Sequence, residues 1–475
     1  MIEIKGKYTT AKIMIDDVEE TALNQIYNIV NHIATKDQKI SVMCDVHAGA
    51  SNAVIGLSMT LGDKITPAWI GVDISCGVLV INIGKDVTTN KDKLLKFDEK
   101  IRNAVPMGSN IQSRSSVKSK FFENNFNWLE ANETAKKFII SYNKKFNTNF
   151  SAIEFDYNWF LKKQKDINMN QDAELAVGSL GGGNHFISIE KSDTYGDYYL
   201  IIHCGSRNFG KMICEYHMKI AKKLLDYKRN VELKNKIVEI RKNILPSKIE
   251  DKIKEAKKEL DIDFDINMNG SEYLEGQLAV DYYMDMIFCK YYAQLNRSTI
   301  AKNILEEIDC NEIERFESVH NEVGFADLIL RKGCIRSYID EKMIVPISMS
   351  FGSFICEGKS NADFNFTSPH GAGRSKSRSE ASRTIDMKDF EYSMKGIVST
   401  SVVKGCLDES CFAYKNPKVI EESIQPTAKI LDHIVPILNL KDKGDSITWK
   451  ERKEKQKIEK NRDFNRKEIR KMKGK

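Results

Sequence analysis

Few residues suited to specialised chemistry are present, and the missing patterns exclude several classes of protein. Only 8 histidines and 8 prolines occur in 475 residues. The ten cysteines contain no CxxC pair, which argues against a structural zinc ribbon. Their scatter through a long chain reads as a reduced, cytosolic thiol set rather than a disulfide framework. No apolar run reaches the ~18 residues that a membrane span requires. The opening Met1-Ile2-Glu3-Ile4-Lys5-Gly6 lacks the apolar core of a signal peptide, so a cytoplasmic location is expected. Internal repeats and low-complexity linkers are also missing.

What is present suits a soluble protein with a sizeable core: 41% of residues are hydrophobic and 29% charged. The net charge of +6 is uneven. From Lys441 onward there are 15 Lys/Arg against 7 Asp/Glu, so the remaining body carries a slight negative charge. The basic character belongs to a tail, which suits either a solvated extension or added phosphate contacts to a nucleic acid.

Short β-branched runs broken by glycine recur through the chain, the mark of sheet built around loops. They fall at 39–60, 65–81, 176–190, 198–207 and from Arg331-Lys332-Gly333 through Pro346 to Gly358. Helices are expected from Val18 to Ala34, over most of 94–165, and at 417–438. Residues 211–310 read as a Lys/Glu-rich helical arm with a break near Pro246.

Five of the histidines lie in Gly-, Asn- or Asp-rich loops beside apolar runs: His47, His185, His203, His320 and His370. The other three sit in helical patterns and read as ordinary. Singly, each loop histidine is as well explained by structure; five placed alike are harder to dismiss. Asp73 and Cys76 stand three apart in a tight loop. With His185, His203 and His320 they offer carboxylate, thiolate and imidazole donors, a mixture suited to manganese, zinc or cobalt rather than calcium or magnesium. A buried hydrophobic Cys76 and a turn-forming Asp73 are the plainer alternative. His370 precedes Gly371-Ala372-Gly373-Arg374, where exposed backbone N–H groups and a guanidinium would suit an anion. Two near-motifs fail: Gly358-Lys359-Ser360 lacks the upstream glycine of a P-loop, and Gly181-Gly182-Gly183 has Phe186 where a dinucleotide fingerprint needs glycine.

Taken in order, these blocks resemble the RtcB family of tRNA-splicing RNA ligases. The resemblance runs from Asp45 to about Lys441. It rests on Asp45-Val46-His47-Ala48-Gly49, Gly71 to Gly77, Gly181 to Phe186, His203 to Arg207, His320-Asn321, Arg331-Lys332-Gly333, His370 to Arg374, and Asp408-Glu409-Ser410 with Ala413-Tyr414-Lys415. It implies one α+β catalytic domain over 1–441, with stacked sheets around a central metal cleft, helices outside, and 442–475 as a basic tail. It implies GTP- and manganese-dependent joining of RNA 3′-phosphate or 2′,3′-cyclic phosphate ends to 5′-hydroxyl ends, in tRNA splicing or RNA repair. His370 would carry a covalent GMP. Two manganese ions would sit on Asp73, Cys76, His185, His203 and His320. Nucleotide contacts would come from Asn184, His185, Phe186, Ile187, Ser188, His320, Asn321, Pro346, Ile347, Ser348, Met349, Ser353, His370, Gly371, Ala372, Gly373 and Lys441. A monomer is expected, with room for an archease-type activating protein. A dinuclear phosphoesterase and a silent RNA-binding relative are the alternatives.

This chain departs from the family pattern in three places. Ser188 replaces the glutamate that reads guanine, although Glu190 would share its face of a strand. Pro346-Ile347-Ser348-Met349-Ser350 replaces Pro-Gly-Ser-Met-Gly. Asp442 follows Lys441 where glycine is usual, and the chain runs on to Lys475.

Overall fold

Strand Gly77–Gly84 carries a pattern that sets half of the architecture. Val78 and Val80 turn to one side; Leu79, Ile81 and Ile83 turn to the other. A strand apolar on both faces must be covered on both. In the computed structural model, which describes residues 1–444 except 51, 88 and 266–269 and only the backbone of 261–265, that strand lies second in a seven-stranded antiparallel sheet. The order is Glu314–Val319, Gly77–Gly84, Tyr198–Cys204, Phe186–Ser192, Ala428–Leu440, Gly352–Gly358, Lys342–Ser348. The two edge strands curl toward each other. Ile344 N donates to Ser318 Oγ at 3.1 Å, and Lys342 pairs with Glu314 at 2.7 Å. Val78, Val80, Ile201, Ile344, Ile355 and Ile434 fill the inside of this nearly closed sheet. Its outer face packs on Lys91–Ala104 and on Ile300, Ala301, Ile304 and Ile308 of a long helix.

A six-stranded sheet supplies the other half: Ile2–Lys5, Thr10–Ile13, Ile40–His47, Ile55–Thr60, Ile329–Lys332, Asn321–Gly324. Only Thr10–Ile13 and Ile40–His47 run parallel in it. Met43 and Cys44 from this sheet share a core with Val345, Phe354 and Cys356 from the other. The α+β expectation with stacked sheets therefore describes the molecule, but not every helix lies outside them.

The segment 211–310 divides in two. Arg207–Asn243 begins buried, then becomes exposed and folds back on Ile249–Asp265 across the break at Pro246. Gly276–Ile308 is no arm. It is buried on nearly every side, among them Tyr282, Met286, Tyr292, Arg297 and Ile304, and it runs through the main core. A helix apolar all round must be covered all round. Residues 417–438 also differ from expectation. The helix stops at Pro417–Ser423 and strand Ala428–Leu440 follows. Pro426 interrupts the helix, and beyond it burial alternates with the period of two proper to a strand.

Candidate active site

Asp73 and Cys76 lie on the turn that leads into Gly77–Gly84. Cys76 N donates to Asp73 O at 3.2 Å, Ser75 N to Asn321 O at 2.7 Å, and Asn321 Nδ2 to Asp73 O at 3.2 Å. His203 stands on the neighbouring strand, opposite both Val78 and Phe186. His185 directly precedes strand Phe186–Ser192. His320 joins two strands from different sheets, and its N donates to Cys76 O at 2.9 Å. Fully buried Arg297, on the central helix, ties this junction together. It donates to Ser75 O at 2.9 Å and Cys204 O at 2.8 Å, and it pairs with Glu317.

The five donors suggested by the sequence come together. Cys76 Sγ lies 3.3 Å from His185 Nε2 and 3.3 Å from His203 Nε2. His203 Nε2 is 3.3 Å from His320 Nε2, and Asp73 Oδ2 is 2.7 Å from His185 Nε2. They form two sets, Asp73–Cys76–His185 and Cys76–His203–His320, with the donor atoms of each within 4.8 Å of one another. Both sets use the Cys76 sulfur. Gly205 makes this possible: a Cβ there would lie 2.2 Å from Asp73 Oδ1.

Burial, then the neighbouring imidazoles, holds His203 and His320 well below the usual histidine range, so both rings are neutral donors of a lone pair. Burial also lowers His185, but Cys204, Cys76 and Asp73 outweigh it and raise the ring well above that range. Burial, helped by Asp73, pushes the Cys76 thiol up to about 12. A coordinated cation reverses that balance, because a ligating thiol gives up its proton. Convergent lone pairs on one sulfur, three imidazoles and a carboxylate fit a divalent pair better than they fit one another.

His370 faces this cluster from the second side, at the end of strand Thr367–Pro369. Its ring centroid lies 4.6 Å from that of His320. Asp45 Oδ2 accepts from His370 N at 3.0 Å and contacts Nδ1 at 2.7 Å. Asp45 has no solvent exposure. With Nδ1–H donated to this carboxylate, the Nε2 lone pair is left for a substrate. Gly373 has φ +69°, and a Cβ there would lie 2.3 Å from Asp45 O, so only glycine lets this turn pass so close to strand Ile40–His47.

Both groups open on a cavity of ≈ 630 Å³, ample for a small-molecule ligand. Among expected nucleotide contacts, Asn184, Phe186, His320 and Asn321 line it on one side. Pro346, Ile347, Ser348, Met349 and Ser353 line it as well, as do His370 to Gly373 and Lys441. Three expected contacts, His185, Ile187 and Ser188, are not placed there. Ile187 turns to the opposite face of its strand and packs in the core. Ser188 Oγ is committed to Leu438 O at 3.0 Å. His185 serves the donor cluster rather than the cavity wall.

Asp45 and Glu409 were assigned no role from the sequence, and Arg374 a different one. Asp45 stands in the Asp-Val-His block, but nothing local shows which histidine it serves. Arg374, expected beside a phosphate, is instead bonded to Asp408 O and lies over the Tyr414 ring at 5.0 Å. Glu409 joins Lys441 at 2.8 Å, Arg378 at 2.5 Å and Tyr414 at 2.9 Å. Burial opposes its ionisation, but Lys441, Arg378 and Arg374 hold the carboxyl down to about 2. A carboxylate followed by a buried lysine far along the chain leaves no local signal.

The family model described as tRNA-splicing ligase RtcB matches residues 25–442. The chain belongs to the RtcB family. An RNA-splicing ligase RtcB1 from one Escherichia coli strain is 27% identical over 428 residues, covering 84% of this chain and 88% of that protein. RNA-splicing ligase RtcB from Escherichia coli K12 is 26% identical over the same length and shares. A tRNA-splicing ligase RtcB from Archaeoglobus fulgidus is 24% identical over 431 residues, covering 80% of this chain and 81% of its own. The RtcB match spans every donor residue and His370, and it ends at Asp442, where the basic tail begins. Among the described residues no helix is long and apolar enough to cross a membrane.

Proposed function

We propose that this RtcB-family protein is an RNA ligase that joins 3′-phosphate or 2′,3′-cyclic phosphate ends to 5′-hydroxyl ends, with GTP as co-substrate. One observation carries the reading. His370 has Nδ1 held by a buried carboxylate and Nε2 open to a cleft, beside two donor sets that share one sulfur. A simple dinuclear phosphoesterase would use the donor sets but would leave the His370–Asp45 pair without a task.

Divalent ions, manganese by family resemblance, would be held by Asp73, Cys76, His185, His203 and His320 and would neutralise phosphate charge. The chain's own residues do the rest. His370 Nε2 attacks the α-phosphorus of GTP, the bond to the β-phosphate oxygen breaks, and pyrophosphate leaves. The ring becomes cationic as the N–P bond forms. Asp45, already accepting from Nδ1–H, stabilises that charge and keeps the ring oriented, as a buried carboxylate does for a catalytic imidazole. An oxygen of the RNA 3′-phosphate then takes the guanylate and His370 returns to neutral. The 5′-hydroxyl attacks the activated phosphorus and loses its proton, and GMP departs. A cyclic phosphate is first opened by water. Lys376, Arg378 and Lys441 on the cavity wall give the incoming phosphates a positive border.

Intact mass spectrometry after incubation with GTP and manganese tests this. One covalent guanylate per chain is expected, and none on His370→Ala. A His370→Ala protein that still seals RNA would overturn the proposal.

A further inference from the structure

We propose that Asn296 is a positioning residue for the Asp73–Cys76–His185 donor set: it holds the two segments on either side of the His185 ring and so sets the affinity of that one ion. This rests on reading the donor cluster as a metal pair.

Asn296 and Arg297 are consecutive on Gly276–Ile308, the helix that runs through the core, and both are 0% exposed. Most of their neighbours on that helix are buried apolar side chains, among which an amide is costly unless it is paired. Asn296 pairs its whole amide. Its Oδ1 accepts from Gly178 N at 2.8 Å and from Ser179 N at 3.3 Å. Its Nδ2 donates to Gly205 O at 3.1 Å and to Cys204 Sγ at 3.3 Å. Both lone pairs of the oxygen and both N–H groups are used. Asn296 does not line the cavity, so it acts only through these segments.

Both segments carry metal donors. Gly178-Ser179 opens the loop that ends in His185, and Cys204-Gly205 directly follows His203. The His185 ring stands between them. A Cβ at Gly181 would lie 1.9 Å from His185 Nδ1, so the loop passes directly against that nitrogen. Cys204 Sγ lies 4.0 Å from the same atom. The other nitrogen, Nε2, meets Cys76 Sγ at 3.3 Å and Asp73 Oδ2 at 2.7 Å. One amide therefore ties together both walls behind the ring, and the walls decide where the coordinating nitrogen points.

Arg297 supports the remaining donors. It bonds Ser75 O, in the turn of Asp73 and Cys76, and Cys204 O, beside His203. It also pairs with Glu317, on the strand that leads to His320. Of these two residues, only Asn296 bonds the loop of His185. That division predicts selectivity. Groups behind a ligating imidazole govern metal affinity by about 10–100-fold. Loss of Asn296 should loosen His185 and spare the Cys76–His203–His320 set.

The test is manganese binding to the full-length chain by equilibrium dialysis, beside thermal unfolding of the metal-free protein. Wild type should bind two ions. Asn296→Ala should keep one at wild-type affinity and weaken the other about tenfold to 100-fold. Added to Asp73→Asn, which removes a donor from the same set, it should weaken the remaining ion no further. Cobalt titration gives a spectroscopic check: the first equivalent should still show the cysteinate-to-cobalt charge-transfer band through Cys76. Asn296→Asp keeps the acceptor for Gly178 and Ser179 but loses both N–H groups; it should weaken the same ion, and it serves if Asn296→Ala does not fold. A folded variant that binds two ions at wild-type affinity overturns the proposal, even where it melts earlier. Equal weakening of both ions also overturns it, since that marks a general packing role. If wild type binds no divalent ion, the metal reading itself is lost.

Discussion

Replacing Asp45 by asparagine isolates the pair at the centre of the site. Asp45 Oδ2 meets both the backbone N and the ring Nδ1 of His370. Asparagine keeps the size, removes the charge, and can turn an N–H toward the ring. A buried hydrogen bond to a charged group contributes ~1.5–3 kcal/mol. The contact matters most when the ring turns cationic, so the loss falls on the barrier to N–P bond formation rather than on binding. At ~1.4 kcal/mol per decade, that slows adduct formation by about tenfold to more than 100-fold. The assay is single-turnover labelling with GTP carrying a radioactive α-phosphorus, quenched over time at saturating nucleotide and manganese. GDP affinity should stay within about threefold, because Asp45 does not line the cavity. Some loss of thermal stability is expected, since Lys415 donates to Cys44 O and Val46 O on either side of Asp45 and would keep its charge. A folded Asp45→Asn protein that labels at the wild-type rate would refute the role given to this carboxylate.

Three further outcomes are expected. Cys76→Ala should bind less than one manganese per chain where wild type should bind two, because both donor sets share that sulfur, whereas Asp73→Asn should lose only one; metal analysis after equilibrium dialysis decides, and a full ion retained by Cys76→Ala would show the sulfur is not shared. Burial raises the Glu190 carboxyl to about 8, with only the Ser353 and Ser188 hydroxyls opposing, so the nucleotide-free fold holds a proton there that the unfolded chain has released. Stability from that proton is complete below pH ~4.5 and lost as pH rises through about 8, so Glu190→Gln should unfold at a higher temperature than wild type at pH 8.5 and at nearly the same temperature at pH 5; equal curves at both would contradict it. Removing residues 445–475, which lie outside the described residues, should weaken RNA binding and flatten its salt dependence while leaving guanylate labelling intact, and unchanged low-salt affinity would argue that the tail does not touch RNA.

The amino-acid sequence alone determined which groups could do chemistry and the order in which they come. Asp73, Cys76, His185, His203, His320 and His370 were legible because their Gly-, Asn- or Asp-rich loops interrupt short apolar strands. So was the shared strand face of Ser188 and Glu190, since a period of two is a local property. What the chain could not disclose locally is which faces meet. Asp45 and His370 are 325 residues apart, and only strand pairing sets one against the other. The helix expected through 417–438 became a strand because neighbouring strands on both sides complete its hydrogen bonds, a condition no local window contains. Gly276–Ile308 read as an arm because its Lys and Glu neighbours dominate the region, while its burial depends on sheets folded from elsewhere. Period and residue type settle what one element can offer. Register between elements distant in the chain settles what it touches, and so placed Ile187 in the core, committed Ser188 to Leu438 and left Glu190 facing the cavity.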